Sequence, residues 1–285
     1  MKKRNLILTI LLAVCLVLFG LFWAYNRVRT DNTAPKITID QPEQIPEISV
    51  QDPQDAMLQG ISAWDSRDGD VTDRMIVEKI TKLDASGQVQ VTYAAFDKSG
   101  NVAKAQRIFR YTDYEGPRFS LTAPLIFTKG TQYDPLANMQ ANDLRDGDIR
   151  HRIKTTVMDS TALNDEGNHN IQFRVTNSLG DTESLILPVE VVASGHYSAQ
   201  VELTDYLIYL PAGSSFRAED YLKTFAYGAQ KFELENGVPD ELRLWLLGSV
   251  DTHTPGIYTV SYTMAFAGGN TNAQGYTKLI VVVEG

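Results

Sequence analysis

The sequence predicts an all-β protein built from three repeated modules of about 80 residues, behind one N-terminal membrane helix. Residues 65–72 (DSRDGDVT) recur as residues 143–150 (DLRDGDIR), 78 positions later. Residues 87–100 recur as residues 167–180, 80 positions later, so two motifs repeat together at nearly one period. A shared period of this kind indicates a duplicated module. Strand-forming residues dominate after the N-terminus, where helical periodicity is scarce.

The N-terminal element is an apolar run over residues 5–25, which is long enough to cross a hydrocarbon core as a helix. Basic residues occupy positions 2–4, and Trp23 and Tyr25 lie where interfacial aromatic side chains are found. We therefore expect a single-pass membrane anchor in residues 1–30, with a cytoplasmic N-terminus and an extracellular body.

Two alternatives to an uncleaved anchor stay open. A signal peptide would be cleaved, but this apolar run exceeds the usual ~7–15 residues, and no small-residue cleavage site follows it. A lipoprotein would use Cys15, although Val14 is bulky for the residue before a lipidated cysteine. Arg27 and Arg29 on the far side weaken the charge argument for orientation without reversing it.

Module one spans residues 31–113 and begins after a short polar linker. Residues 36–40 alternate as a first strand, and the prolines that follow indicate an edge strand or an irregular connection. Residues 74–80 form a further strand. Strands at 89–96 and 102–111, joined by a turn at 97–101, form a closing hairpin.

Modules two and three are predicted over residues 114–193 and 194–285. Module two keeps both motifs and closes with a strand over residues 184–192. Module three keeps only the closing hairpin, with strands at 256–266 and 276–283 and a turn at 268–270. Three aromatic residues each lie six positions after a glycine, and we expect one in each core: Tyr93, Phe173 and Tyr262.

Two further predictions concern module three. Residues 206–210 form a buried strand, and residues 215–225 include a short helix. The module is rich in aromatic residues, most of which we expect in its core, with a binding surface as the alternative. They are Tyr197, Tyr206, Tyr209, Phe216, Tyr221, Phe225, Tyr227, Phe232 and Trp245.

The charge distribution limits the possible partners. The chain has a net charge of −9, and residues 1–30 contain five basic and no acidic residues, so the body is more acidic still. An acidic body argues against nucleic acid or anionic lipid as a ligand. It allows cationic partners, neutral sugars, or anionic polymers bridged by divalent cations. Cys15 is the single cysteine, so no intramolecular disulfide can form, which is ordinary for a bacterial surface protein.

These motifs resemble the bacterial surface Ig-like domain family that is named after a pesticidal crystal protein and occurs as tandem repeats. The match uses Asp31 and Pro35, residues 65–72, and the hairpin pattern from Gly87 to Asn101. It is close over 31–113, looser over 114–193 and confined to the hairpin in 194–285. The resemblance implies Ig-like β-sandwich modules exported to the cell surface, and it carries over no catalytic residues.

Carboxylates are the candidate site residues. Asp65, Asp68 and Asp70, with Asp97 on a later turn, could gather at one end of a sandwich and bind Ca²⁺, the only cofactor that the sequence suggests. The preferred alternative is a structural role, because Asp-Gly sequences favour tight turns and Asp side chains accept backbone hydrogen bonds there.

No enzymatic motif is present. The four histidines are scattered, and neither a His-Glu-x-x-His zinc motif, a nucleophile elbow nor a phosphate-binding glycine loop occurs. Cys15 lies in the apolar run and is no exported nucleophile. We therefore expect a protein that is not an enzyme. The histidines are His151, His169, His196 and His253.

The sequence favours a membrane-anchored bacterial cell-surface binding or adhesion protein. Module three, the most divergent copy, would contact an envelope glycan or a surface protein, with the other modules as a spacer. The alternative is a non-catalytic structural subunit of an envelope assembly that positions a partner enzyme or transporter.

Overall fold

The computed structural model describes residues 2–84, 86–131, 134–158, 165–195, 197–268 and 273–285, without the side chains of residues 2–7 and 26–29. His196 and most of the turn predicted at 268–270 lie outside the described residues, as do the side chains of the basic residues that flank the apolar run.

One α-helix and twenty-one strands occur in the described part of the chain. The helix is α1 (Lys2–Arg29). The strands are β1 (Lys36–Ile39), β2 (Glu47–Ile48), β3 (Ile61–Asp65), β4 (Gly69–Asp70), β5 (Met75–Ile80), β6 (Gln88–Phe96), β7 (Val102–Tyr111), β8 (Arg118–Leu121), β9 (Ile126–Thr128), β10 (Met139–Asp143), β11 (Gly147–Asp148), β12 (Lys154–Val157), β13 (Gly167–Thr176), β14 (Thr182–Val192), β15 (Gln200–Leu203), β16 (Leu207–Pro211), β17 (Leu222–Tyr227), β18 (Gln230–Glu233), β19 (Leu242–Leu247), β20 (Gly256–Phe266) and β21 (Gly275–Glu284).

The strands form three tandem Ig-like sandwiches, each with a three-stranded and a four-stranded sheet. In module one the sheets are β1-β3-β4 and β2-β7-β6-β5. Module two repeats this arrangement as β8-β10-β11 and β9-β14-β13-β12, and module three as β15-β17-β18 and β16-β21-β20-β19. The all-β prediction is confirmed. Module three shares the architecture although its sequence lacks the Asp-rich motif.

The three predicted core aromatic residues are buried at equivalent positions. Tyr93, Phe173 and Tyr262 each have 0 % exposure, and they lie in β6, β13 and β20, the first strand of each closing hairpin. The Tyr93 hydroxyl donates to the Met57 carbonyl (2.9 Å), and the Tyr262 hydroxyl donates to the Ala218 carbonyl (2.8 Å). Both hydroxyls therefore meet the requirement that a buried polar group be hydrogen-bonded.

Two local predictions for module three need adjustment. The strand predicted at 206–210 is β16, but only Tyr206 and Leu207 are buried, at 9 % and 6 % exposure. The rest is half-buried because β16 is the edge strand of its sheet. The short helix predicted within 215–225 is a 3-10 helix over Ala218–Tyr221, after which the chain enters β17.

The chain divides into two compact units, Met1–Tyr114 and Glu115–Gly285. The first contains α1 and module one. In the second, one continuous apolar cluster includes core residues of both module two and module three, such as Phe173 and Tyr262. Modules two and three thus share an interior, a long-range packing that the repeat pattern does not predict.

Polar contacts also join modules two and three. The Tyr209 hydroxyl accepts from the Phe119 backbone N–H (3.1 Å), and the Arg118 guanidinium lies 4.6 Å from the Tyr209 ring centre. Arg118 also pairs with Glu284 (2.8 Å). Burial is the largest influence on Tyr209 and raises the pKa of its hydroxyl well above the ordinary range.

Helix α1 contains a span, Leu8–Tyr25, with mean hydropathy 2.5 and no burial against the rest of the protein. By length and composition it is one N-terminal helix able to cross a membrane or to act as a signal sequence. Cys15 lies on this helix and is exposed.

Candidate functional site

Three carboxylates meet at one end of module one. Asp31 lies before β1, Asp65 ends β3, and Asp97 follows β6 directly. One oxygen from each residue lies within 4.8 Å of the others, and we call this group the acidic triad. Exposure is 7 % for Asp31, 1 % for Asp65 and 5 % for Asp97, so three acidic groups are buried side by side.

Local hydrogen bonds hold each member of the triad in place. Asp65 Oδ1 accepts the backbone N–H groups of Arg67 (2.8 Å) and Asp68 (2.9 Å), which closes the loop between β3 and β4. Asp97 Oδ1 accepts the backbone N–H of Asn101 (2.7 Å), and its Oδ2 accepts from the Asn101 side-chain amide (2.6 Å). These are the turn roles that the sequence favoured for the aspartates.

Asp31, the remaining member of the triad, is hydrogen-bonded at both its side chain and its backbone carbonyl. Asp31 Oδ1 accepts from the Thr33 hydroxyl (2.6 Å) and from its backbone N–H (3.0 Å). The Asp31 carbonyl accepts from the Asn101 amide (3.0 Å), so one asparagine links two members of the triad. The hydroxyl and backbone bonds from Thr33 lower the pKa of Asp31, and the positive charge of Arg67 lowers it further.

The hydrogen bonds around the triad stabilise the charge of Asp97 better than that of Asp65. Burial raises the pKa of Asp97, but hydrogen bonds from Asn101 and the Ser99 backbone outweigh it, so the pKa is lowered although the Asp31 charge opposes this. Asp65 Oδ2 is buried and has no hydrogen-bond partner among the residues that the structure describes. A buried carboxylate oxygen without a donor is costly, because water has been removed and nothing replaces it.

The structure brings together two of the four residues predicted as calcium ligands. Asp65 and Asp97 belong to the triad, whereas Asp68 and Asp70 do not. Asp68 Oδ2 instead accepts the Lys98 backbone N–H (2.6 Å), which ties two loops together. Asp70 Oδ1 accepts the Thr72 backbone N–H (2.9 Å).

The third member, Asp31, was not among the predicted ligands. Its sequence signal was available, because it matches the opening aspartate of the family pattern. No local motif relates the chain before β1 to two loops that are distant in sequence, so this contact was not foreseen. The structure therefore groups Asp31 with Asp65 and Asp97, and calcium binding by the predicted aspartates stays a prediction.

Module two contains a related scaffold in which several residues differ, and Asn177 and Asp181 stand where module one has Asp97 and Asn101. Asp143 occupies the position of Asp65, and its Oδ1 accepts the N–H groups of Arg145 (3.0 Å) and Asp146 (2.9 Å). Asn177 occupies the position of Asp97, and its side-chain amide donates to Asp143 Oδ2 (2.9 Å). The oxygen without a partner in module one thus has a donor in module two.

An exposed apolar edge is the second candidate site. In module three, β19 is the edge strand of the four-stranded sheet. Trp245 is 53 % exposed and Leu247 is 77 % exposed, and residues two apart in a strand lie on the same face. The core prediction for the other module-three aromatics agrees with their full or partial burial, so Trp245 is the exception.

A basic groove occurs in module two despite the acidic body. It is lined by His151, Arg152, Lys154 and Arg174, and Lys154 lies directly opposite Arg174 in the β12–β13 pair. Arg152 pairs with Asp146, whereas Lys154 and Arg174 have no ion pair with any described residue. The net negative charge of the chain therefore does not describe this local surface.

Comparisons with known proteins identify no family. No protein-family model matches the chain. A curated protein, the "Uncharacterized 81.3 kDa protein" of Acholeplasma phage L2, is 38 % identical over 87 residues. That match covers 30 % of this chain and 11 % of the phage protein, so the chain spans about a tenth of its relative.

Solved structures with related folds are distant. Drosophila N-cadherin EC1-3 has 11 % identity and a TM-score of 0.27, covering 74 % of this chain and 88 % of that one. A Clostridium perfringens ZmpB structure, CBM51-2 in complex with GlcNAc and INT domains, has 16 % identity and a TM-score of 0.22, covering 53 % and 26 %. At these TM-scores neither likeness bears on what this chain binds.

Proposed function

We propose that this chain is a membrane-anchored bacterial surface binding protein. Helix α1 holds it in the membrane with the N-terminus in the cytoplasm, and the β-sandwich modules lie outside the cell. The edge of module three around Trp245 contacts an envelope glycan or a surface protein. The function assigned is binding, without a reaction.

The exposure of Trp245 and Leu247 carries this proposal. Single exposed apolar residues are normal, but a tryptophan and a leucine on one face of an edge strand are informative. Tryptophan is enriched among residues that dominate binding energy at interfaces. Natural proteins usually protect edge strands with charges or prolines, and this edge strand carries one charge, Arg243, beside the exposed Trp245 and Leu247.

A glycan is the partner that the neighbouring side chains favour. In register, Trp245 lies beside Thr263 and Leu247 lies beside Ser261 on β20. The Ser261 hydroxyl is also within 3.3 Å of the Tyr276 hydroxyl. An aromatic ring for the apolar face of a sugar, with hydroxyl groups for its polar edge, is the combination that small polar ligands require.

The absence of a reaction is part of the proposal and has its own support. The triad is the group of three carboxylates found within 4.8 Å of one another among the described residues, and its members are too buried for a substrate to reach. His169 is 2 % exposed, with its Nε2 within 2.8 Å of the Asp165 carbonyl.

The experiment is a binding assay of the full chain, purified in detergent, against isolated cell-envelope polysaccharide. We expect Trp245→Ala to weaken binding at least tenfold, or about 1.4 kcal/mol, as for a central interface residue. Trp64→Ala is the matched control, because Trp64 is 63 % exposed but lies in module one. Unchanged binding by the Trp245→Ala variant, or equal loss in both variants, would show that the site is wrongly placed.

A structural subunit of an envelope assembly is the second candidate, favoured by Leu246 and Leu247. Both are exposed at the edge of a sheet, where a partner protein could add a strand or cover the apolar surface. We expect Leu247→Asp to remove a protein that cross-links to the chain in native membranes. Loss of that cross-link with glycan binding intact would favour this second function.

A point substitution is a better test than deletion of module three. Modules two and three share an apolar cluster, so removing residues 194–285 would expose buried residues of module two. The shortened chain would then lose binding either because the binding surface is gone or because module two is destabilised, and the assay cannot separate the two causes.

A further inference from the structure

We propose that Asp31, Asp65 and Asp97 bind one Ca²⁺ ion. The ion would hold the segment before β1 against the loops that follow β3 and β6. This site is independent of the glycan or protein contact proposed for module three.

Charge is the first reason. Three carboxylates lie within 4.8 Å of one another, with exposure of 7 % or less. Like charges this close in a region of low dielectric repel strongly unless a cation or a proton offsets them. Arg67 acts on Asp31 and offsets one of the three charges, so a net negative charge is left at the site.

The oxygen without a donor is the second and independent reason. Asp65 Oδ1 accepts two backbone N–H groups, but Asp65 Oδ2 is buried and finds no hydrogen-bond partner in the described part of the chain. Asp65 is 1 % exposed, so bulk water does not serve this oxygen. A metal ion bound to this oxygen would supply the positive charge that takes the place of a hydrogen-bond donor.

Module two shows a related turn in which an amide stands in the place of the second carboxylate. There Asn177 replaces the second carboxylate and donates its amide to Asp143 Oδ2 (2.9 Å). The surrounding backbone bonds agree between copies, since Asn177 Oδ1 accepts the Asp181 N–H (2.9 Å) as Asp97 Oδ1 accepts the Asn101 N–H (2.7 Å). The two copies therefore differ in chemistry rather than in shape.

The ligand set selects calcium among common cations. All three side chains offer carboxylate oxygens, and neither histidine nor cysteine belongs to the triad, so zinc is disfavoured. Ca²⁺ binds oxygens at about 2.3–2.6 Å, so ligands on opposite sides of the ion lie roughly 5 Å apart, and oxygens within 4.8 Å of one another can all reach one such ion. Mg²⁺ requires a tighter octahedron.

The test uses the full chain in detergent, first in EDTA and then with added Ca²⁺. We expect one Ca²⁺ per chain by isothermal titration calorimetry, with a Kd of about 10⁻⁴–10⁻³ M, as for extracellular modules, and a higher melting temperature for module one. Asp97→Asn should weaken binding at least tenfold and remove the thermal response.

Asp70→Asn is the matched control. Asp70 carries the same charge and caps a neighbouring turn but lies outside the triad, so this variant should keep the calcium response. Three results would overturn the proposal: a wild type whose melting curve ignores millimolar Ca²⁺, an Asp97→Asn variant that responds like the wild type, or stabilisation by acid alone. The last result would mean that a shared proton, and not a metal ion, joins Asp65 and Asp97.

Discussion

One of the exchanges between the two copies of the Asp-rich scaffold changes which groups can donate a hydrogen bond: Asp97 in module one is Asn177 in module two. Asp97 and Asn177 accept equivalent backbone hydrogen bonds, yet only Asn177 can donate to the neighbouring aspartate. A carboxylate in place of an amide removes a donor and adds a charge. At the scale of the residue, this exchange gives the Asp143 carboxylate a side-chain donor, and it is the difference on which the proposed calcium site in module one rests.

Alkaline pH should destabilise module one through Tyr93. Burial raises the pKa of Tyr93 to about 12, although Arg107 opposes the shift, whereas an unfolded tyrosine titrates near 10. The folded pKa is the higher one, so the stabilisation is complete below about pH 10 and is lost as the pH rises towards 12. Urea unfolding at pH values between 8 and 11.5 measures this loss as a fall in the free energy of unfolding.

The control for this prediction is Tyr93→Phe. Phe173 already occupies the equivalent position of module two, so a phenylalanine is compatible with the fold. The variant should lose about 1 kcal/mol at pH 8, because the hydrogen bond to the Met57 carbonyl is removed. Its stability should also fall less steeply above pH 10. An equally steep fall in both proteins would contradict the assignment to Tyr93.

At the residue level, the sequence predicts those positions whose role depends on residues nearby in the chain. Asp65 and Asp97 were recognised because each opens a turn with glycine nearby, and the three core aromatics because each follows a glycine at fixed spacing. Asp31 was missed because it meets the triad through tertiary packing. The lack of a donor for Asp65 Oδ2 was equally hidden, since it depends on which oxygens face each other.

At the scale of the element, the closing hairpins were the most predictable parts. β6–β7, β13–β14 and β20–β21 are long antiparallel pairs, and the strands predicted at 89–96, 102–111, 184–192, 256–266 and 276–283 differ from the observed ones by a few residues at most. The short parallel pairs of β2 with β7 and β9 with β14 left no comparable pattern. Two or three paired residues are too few for periodicity to indicate a strand.

The β12–β13 pair carries a like-charge contact that should cost stability. Lys154 and Arg174 are direct cross-strand partners, and like charges placed opposite each other are destabilising. We expect Lys154→Thr to stabilise the unit Glu115–Gly285 by about 0.5 kcal/mol at low salt. The gain should shrink at 0.5 M NaCl because salt screens exposed charges.

Chemical denaturation at two ionic strengths measures this effect. Lys129→Thr is the control, because Lys129 is an exposed lysine of the same module that is already paired with Glu166 (3.2 Å). That variant should show no gain. A loss of stability in Lys154→Thr at low salt would mean that the lysine makes a favourable contact instead of a repulsive one.

At the scale of the whole molecule, the period of the repeat predicted three modules but not how they pack. Modules two and three share one apolar cluster, while module one belongs to a separate compact unit. Shared burial arises from residues far apart in sequence, such as Phe119 and Tyr209. A repeat pattern contains no information on such contacts, so independent modules were the natural expectation.

Cooperative unfolding of modules two and three follows from that packing. Ile171 is 1 % exposed in β13 of module two, and Ile171→Val should cost about 1 kcal/mol. Because the unit Glu115–Gly285 unfolds together, module three should lose hydrogen-exchange protection to the same extent as module two. The melting temperature of this unit should fall by about 2–4 °C.

Hydrogen exchange read by mass spectrometry separates the modules peptide by peptide. Peptides of module one serve as the internal control and should keep their wild-type protection. Faster exchange in module two alone, with β20 and β21 unchanged, would show that the shared cluster does not couple the two modules.

The parallel strand pairs have a consequence for mechanical load. In each module an early strand runs parallel to the last one, through two residue pairs in module one, three in module two and five in module three. Tension along the chain slides such strands past each other, so their hydrogen bonds resist together rather than one after another. If α1 is anchored in a membrane and module three is bound to a surface, module one should unfold first under tension. Its unfolded chain would then lengthen the connection while module three stays folded and bound.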